Sequence, residues 1–322
     1  MTLLKILLAT ALLALAAAAY VALRVTWKLI HPLGKPVDSR PEEYGVETYE
    51  EISFPSRERG ITIKGWYLPA QAGGNEQRRQ TLIFSHGYGQ NRLEPHLPAL
   101  SLASRLVASG YDVLMFDFRN SGESSPALTT IGLREQEDLL GAIDYVESTR
   151  PGQRIGLVGF SMGAATSLLV GGRDPRVEAI IADSPFYSLK EYLEENLPQW
   201  TGLPRFPFNG LILTLSPLML GANPRHVRPF EAVKQAEKPI LFIHGTGDRT
   251  VPSSNSELLY RHAGHPHSEL WLVPGPGHVR TYPHDPEAYQ QKVLSFLERV
   301  WGSSRLSPPR LVSHAKKPSP AE

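Results

Sequence analysis

The chain has 322 residues and balances 33 Lys and Arg against 32 Asp and Glu, a formal net charge of +1 that removes any electrostatic case for nucleic-acid binding. It has no cysteine, which excludes disulfides, a thiol nucleophile and cysteine-based zinc sites. A hydrophobic content of 41% can fill a large core, and the length suits one α/β domain of about 250 residues with terminal extensions.

From Ile6 to Leu23 no residue is charged, and the run is mostly Leu and Ala. Crossing a bilayer takes ~17–25 apolar residues, and Trp27 and Lys28 just beyond suit the interface. Residues 1–25 are therefore expected to be a single-pass N-terminal anchor. The competing reading is a signal peptide, with Lys5 as its basic start and cleavage near Ala17 to Ala19. Arg24, Lys28, Lys35 and Arg40 follow the span, so the positive-inside rule favours a cytoplasmic side for the rest of the chain. The signal-like start favours the opposite side, and both readings stay open. Residues 26–44, rich in Pro and charge, read as a linker.

Two antiparallel strands are expected at Val46 to Phe54 and Ile61 to Leu68, then a polar turn from Gly73 to Gln80. The buried-type strand Thr81 to Ser85 runs into His86-Gly87-Tyr88-Gly89, where glycines allow backbone amides to face a site. A helix follows at Leu97 to Ser109, closed by Gly110, then a strand at Asp112 to Phe116 and a helix at Leu133 to Glu147 with Leu139, Leu140, Ile143 and Val146 on one face.

The most informative stretch is Arg154 to Ala165. An apolar, β-rich run ends in Gly159-Phe160-Ser161-Met162-Gly163, and Ala164 and Ala165 follow. Gly-x-Ser-x-Gly between a strand and a helix is the pattern of a nucleophile elbow, with Ser161 at its apex. A serine nucleophile needs a base, a group that orients the base, and donors for the oxyanion. Downstream, the strand Lys238 to Gly245 leads to Asp248, and the strand Glu269 to Val273 leads to His278 on a loop of Gly and Pro. Ser, acid, His is a chain order found with a nucleophile elbow. The oxyanion donors would be the backbone N–H groups of Tyr88 and Met162. Asp183 and Asp117 also end strands; Asp183 is the second candidate for the acid, and Asp117 reads as a loop organiser. His86 reads as structural beside the oxyanion loop.

A strand at Val177 to Ala182 is followed by residues 184–235, long for a connection and rich in apolar side chains and proline, which reads as a cap over the site. The final helix starts at Asp285 and Pro286 and runs to about Trp301, and residues 302–322 read as a disordered tail. His262, His265, His267, His278 and His284 crowd together, but their spacing matches no metal-ligand pair, and no loop has the dinucleotide-binding pattern.

Across residues 45–301 the chain resembles the α/β-hydrolase superfamily, and within it the membrane-anchored serine hydrolases of the Bem46 and YqkD type. The resemblance rests on His86-Gly87-Tyr88-Gly89, Phe116 to Ser124, the elbow, Ala182 to Phe186, His244 to Asp248 and Gly277-His278. In the second of these, Asn120 stands where such families usually carry a glycine, which touches loop shape rather than chemistry. The resemblance implies an α/β-hydrolase fold, with a mainly parallel central sheet, helices on both faces and a small cap insertion. It implies a serine hydrolase acting on carboxylic esters, small or lipid, through Ser161, His278 and Asp248, with no cofactor and no metal. Two other readings remain: a serine peptidase of the prolyl-oligopeptidase type, and a non-catalytic membrane-tethered binding protein.

Overall fold

In the computed structural model, residues 2–71, 79–221 and 223–302 are described. Most of the expected polar turn after Gly73 and the tail after Gly302 lie outside the described residues.

Eight short apolar runs pair into one sheet. They are β1 (Glu50–Pro55), β2 (Thr62–Leu68), β3 (Gln80–Ser85), β4 (Asp112–Phe116), β5 (Arg154–Phe160), β6 (Val177–Asp183), β7 (Ile240–Gly245) and β8 (Glu269–Val273). Their order across the sheet is β1-β2-β4-β3-β5-β6-β7-β8. β2 pairs antiparallel with β1 and β4, and the remaining pairs are parallel. The pattern of the strands explains this arrangement. β3 and β7 are buried at every position, as strands covered on both faces must be. β1 alternates over part of its length, as suits a sheet edge.

Helices cover both faces. α2 (Ala99–Ala108) and α10 (Pro286–Gly302) pack on one, α3 (Glu135–Thr149) and α4 (Met162–Gly171) on the other. The two resulting cores share the sheet as a partition, one holding Phe84, Phe160 and Phe296, the other Phe116, Leu168 and Phe242. α8 (Ser254–His262) makes the crossover from β7 to β8, and the short α9 (Thr281–His284) lies between β8 and α10. Between β6 and β7 stand α5 (Leu189–Thr201), α6 (Arg205–Leu220) and α7 (Pro229–Gln235).

Some boundaries differ from the sequence expectation, each for a local reason. The helix expected from Leu97 begins at Ala99, because Pro98 adopts φ 28° and breaks the turn. The helix expected from Leu133 begins at Glu135, whose carboxylate accepts the N–H groups of Thr130 and Gly132 and the Thr130 hydroxyl, holding the chain before it in a non-helical turn. Asn120 has φ +59°, the left-handed conformation that Asn tolerates better than most residues, so it can stand where a glycine is usual.

The largest difference is at the amino terminus. α1 runs from Thr2 to Ile30, five residues past the expected end of the anchor, so the linker is shorter than residues 26–44. Its first half is exposed, but Ala22, Thr26 and Ile30 are buried against the rest of the protein. The Thr129 N–H donates to the Ile30 carbonyl (3.0 Å), and α1 packs along α6.

Candidate active site

Strand β5 must pass into α4 with almost no connecting chain. Ser161, the one residue between them, sits at φ 51°, ψ −113°, a backbone strain worth about 1–3 kcal/mol. Two glycines make the turn possible. A Cβ on Gly159 would lie 2.4 Å from the Gly163 carbonyl oxygen, and one on Gly163 would lie 1.9 Å from that of Ser85. The Ser161 N–H donates to the Asp183 carbonyl (2.9 Å), which ties the elbow to β6.

Two loops beyond the carboxyl ends of β7 and β8 meet this serine. The Ser161 hydroxyl donates to His278 Nε2 (2.8 Å), and His278 Nδ1–H donates to Asp248 Oδ2 (2.6 Å). These N–H assignments follow from the partners, since a carboxylate at Nδ1 selects the tautomer with its proton there. Asp248 is itself fixed. Its Oδ1 accepts the N–H groups of Thr250 (2.8 Å) and Val251 (2.9 Å), and its Oδ2 lies 3.2 Å from His244 Nε2. Burial would raise the Asp248 pKa, but the bonds to His244 and His278 outweigh it and hold the carboxyl well below the usual carboxylate range. His244 was not singled out as a site residue from the sequence. Its Nε2 also contacts the Val251 carbonyl (2.8 Å), and its Nδ1 contacts the Ser256 hydroxyl (2.7 Å).

The Met162 N–H opens α4 beside the serine, where the helix dipole favours negative charge, and the Tyr88 N–H lies on the β3 loop. Neither has a protein hydrogen-bond partner among the described residues. Tyr88 anchors its loop by donating its hydroxyl to the Leu29 carbonyl of α1 (2.8 Å).

The other expected residues lie elsewhere. Asp183 is fully buried and makes no bond to His278. It accepts from the hydroxyls of Ser184 (2.8 Å), Thr281 (2.5 Å) and Tyr289 (3.1 Å), and burial raises its pKa. Asp117 organises its loop, accepting from the Arg92 N–H (2.7 Å), the Arg92 guanidinium (2.6 Å) and the Glu123 N–H (2.9 Å). His86 is buried and accepts the Phe118 N–H at Nε2 (2.9 Å). Among the described residues no group of three or more His, Cys, Asp and Glu side chains is placed to hold a metal ion.

A cavity of about 420 Å³ opens over Ser161 and His278. Tyr192 and Trp200 of α5 form one side, Leu29 of α1 another, and Gly87, Tyr88 and Glu94 the floor. Glu94 has no counterpart among the residues marked from sequence. Its buried carboxylate oxygen Oε2 accepts the Gly87 N–H at 2.6 Å, one residue from the Tyr88 amide. Burial, only partly offset by the Gly87 bond and Lys35, raises its pKa to about 7. Glu94 lines the same cavity as Ser161 and His278.

Residues 80–207 match the family described as alpha/beta hydrolase fold. Over 244 residues the chain is 30% identical to YqkD, an uncharacterized protein of Bacillus subtilis, covering 75% of this chain and 77% of that one. It is 28% identical over 262 residues to the uncharacterized YfhR of Escherichia coli, covering 79% and 83%. Among solved structures, the esterase Pf2001 of Pyrococcus furiosus superposes with a TM-score of 0.69 at 26% identity, covering 85% of this chain and 99% of that one.

Proposed function

The chain belongs to the α/β-hydrolase family, and from that premise we propose that it is a serine hydrolase that cleaves carboxylic esters by way of an acyl-enzyme. The observation that carries this reading is the unbroken line of hydrogen bonds from Asp248 through His278 to the Ser161 hydroxyl. In the proposed reaction, Ser161 Oγ attacks the ester carbonyl as its proton passes to His278 Nε2. Asp248 holds the imidazole and stabilises its charge. The N–H groups of Tyr88 and Met162 bind the oxyanion, each worth about 2.7–4 kcal/mol in the transition state. His278 then returns the proton to the leaving alcohol, and water repeats the sequence to release the acid.

Ester chemistry is favoured over peptide cleavage by the solved neighbour described as an esterase. The bound molecule would be a small-molecule or lipid ester, held in a cavity lined by Leu29, Tyr192 and Trp200, and α1 would anchor the protein to a membrane. Purified full-length protein assayed on parallel ester and peptide panels tests the reading. Ester turnover that vanishes in Ser161→Ala supports it. Peptide turnover alone, or ester turnover unchanged by that substitution, overturns it.

A further inference from the structure

The apolar run of α1 from Ile6 to Leu23 is about 18 residues, or ~27 Å of helix, barely the hydrocarbon thickness of a bilayer. None of it can be spared as a stalk. Yet residues 18, 19 and 21–23 of that run are already partly or wholly covered by the folded protein, and α1 packs along α6. A membrane crossed by α1 must therefore touch the cap itself. The cap's outer surface fits such a contact. Phe206 at the start of α6 is 88% exposed and Leu218 near its end is 79% exposed, with Leu33 just after α1 at 92%. Each leaves a large apolar side chain in water.

The inside of the same seam is also apolar. A narrow cavity of about 30 Å³ between α1 and α6 is lined by Thr26, Leu29, Leu193, Ile212 and Leu220 among others, so an acyl chain lodged there parts α1 from α6. Leu29 lines this cavity and the cavity over Ser161 as well. The Tyr88 hydroxyl, bonded to the Leu29 carbonyl, fixes this point of α1 to the loop that carries the proposed oxyanion donor.

We infer that the seam between α1 and the cap helices α5 and α6 is the acyl-chain site, and that the substrate is a long-chain ester drawn directly from the bilayer. This deepens the ester-hydrolase reading and rests on it. The helix that anchors the chain is then also a wall of the binding site. The acyl chain passes Leu29, with its carbonyl at Ser161 and its tail between α1 and α6 toward the lipid.

Full-length Ser161→Ala in phosphatidylcholine nanodiscs, exposed to a palmitoyl glycerol carrying a terminal diazirine, tests this without requiring turnover. Irradiation and peptide mass spectrometry should find adducts on α1 around Thr26 to Ile30 and on α6 around Ile212 to Leu220, and Ile212→Trp in the same background should reduce them. Adducts confined to other surfaces overturn the inference. In the Ser161-bearing protein, Ile212→Trp should lower the ratio of kcat/KM for palmitoyl over butyryl ester by roughly tenfold or more. A ratio within about twofold of the parent also overturns it. Seam adducts without any ester turnover would instead count against the hydrolase reading and leave the lipid site standing.

Discussion

At the scale of single residues, two carboxyl groups near His278 are held in opposite states. Asp248 is held ionised by the histidines around it, while Glu94 is pushed toward its neutral form by burial. An ionised Glu94 would set a negative charge beside the amides proposed for the oxyanion. Activity should therefore fall as Glu94 ionises above about 7. In Glu94→Gln, whose amide cannot ionise, the falling limb of the pH–rate profile should be absent. Stability follows the same sign. The Glu94 pKa in the folded chain, about 7, exceeds its ordinary 4.5, so its contribution is complete below 4.5 and lost as pH rises through 7, an interval worth about 3 kcal/mol. Denaturant midpoints measured across that range should show the loss in the parent and not in Glu94→Gln.

The two candidate acids separate in the same way. Asp248→Asn should lower kcat by about 10⁴ with the fold retained, because it leaves His278 in the wrong tautomer. Asp183→Asn should act mainly on stability, since Asp183 bonds three hydroxyls, and the Ser184 hydroxyl in turn accepts the Val279 N–H beside His278 (3.3 Å). The reverse result would move the acid to Asp183.

At the scale of elements, the elbow is where local sequence and tertiary packing agree most closely. Glycine at 163 is required because the helix crosses β3 with its backbone almost touching the Ser85 carbonyl. Gly163→Ala must push α4 away from the sheet, at a cost of about 1–3 kcal/mol or more. Thermal unfolding should register that loss, and the remaining folded protein should turn over poorly because Ser161 moves with the helix. Strands β4 and β8 were legible to the residue, since short apolar runs bounded by turn residues leave few alternatives. The meeting of Ser161, His278 and Asp248 was legible as a prospect, because motif and chain order place each at a strand end. Glu94 was not. It lies in a loop without periodicity, and its role comes from a contact with Gly87 made only once the chain has folded. The start of α2 was missed because a helical pattern of apolar residues continues through Pro98, whose backbone is not helical.

At the scale of the molecule, α1 has two parts. Its N-terminal half is exposed, and its last three turns pack along α6, with the Ile30 carbonyl bonded to Thr129 and the Leu29 carbonyl to Tyr88. That division was hidden in the sequence because Leu and Ala on every face of a helix leave no amphipathic stripe to read. Deleting residues 1–17 should leave the folded core and its detergent-phase activity largely intact. Deleting residues 1–31 should lower the melting temperature and activity together, because it bares α6 and removes Leu29 from the cavity wall. Differential scanning calorimetry and ester assays on both truncations check the contrast, and equal behaviour would mean that α1 is an anchor alone.

The central claim, that Ser161 is a nucleophile activated by His278, is tested most directly by reaction with a fluorophosphonate followed by peptide mass spectrometry. The account predicts one adduct, on Ser161, formed far more slowly in His278→Ala and absent in Ser161→Ala. An adduct on another residue, or one that forms at the parent rate without His278, would contradict it.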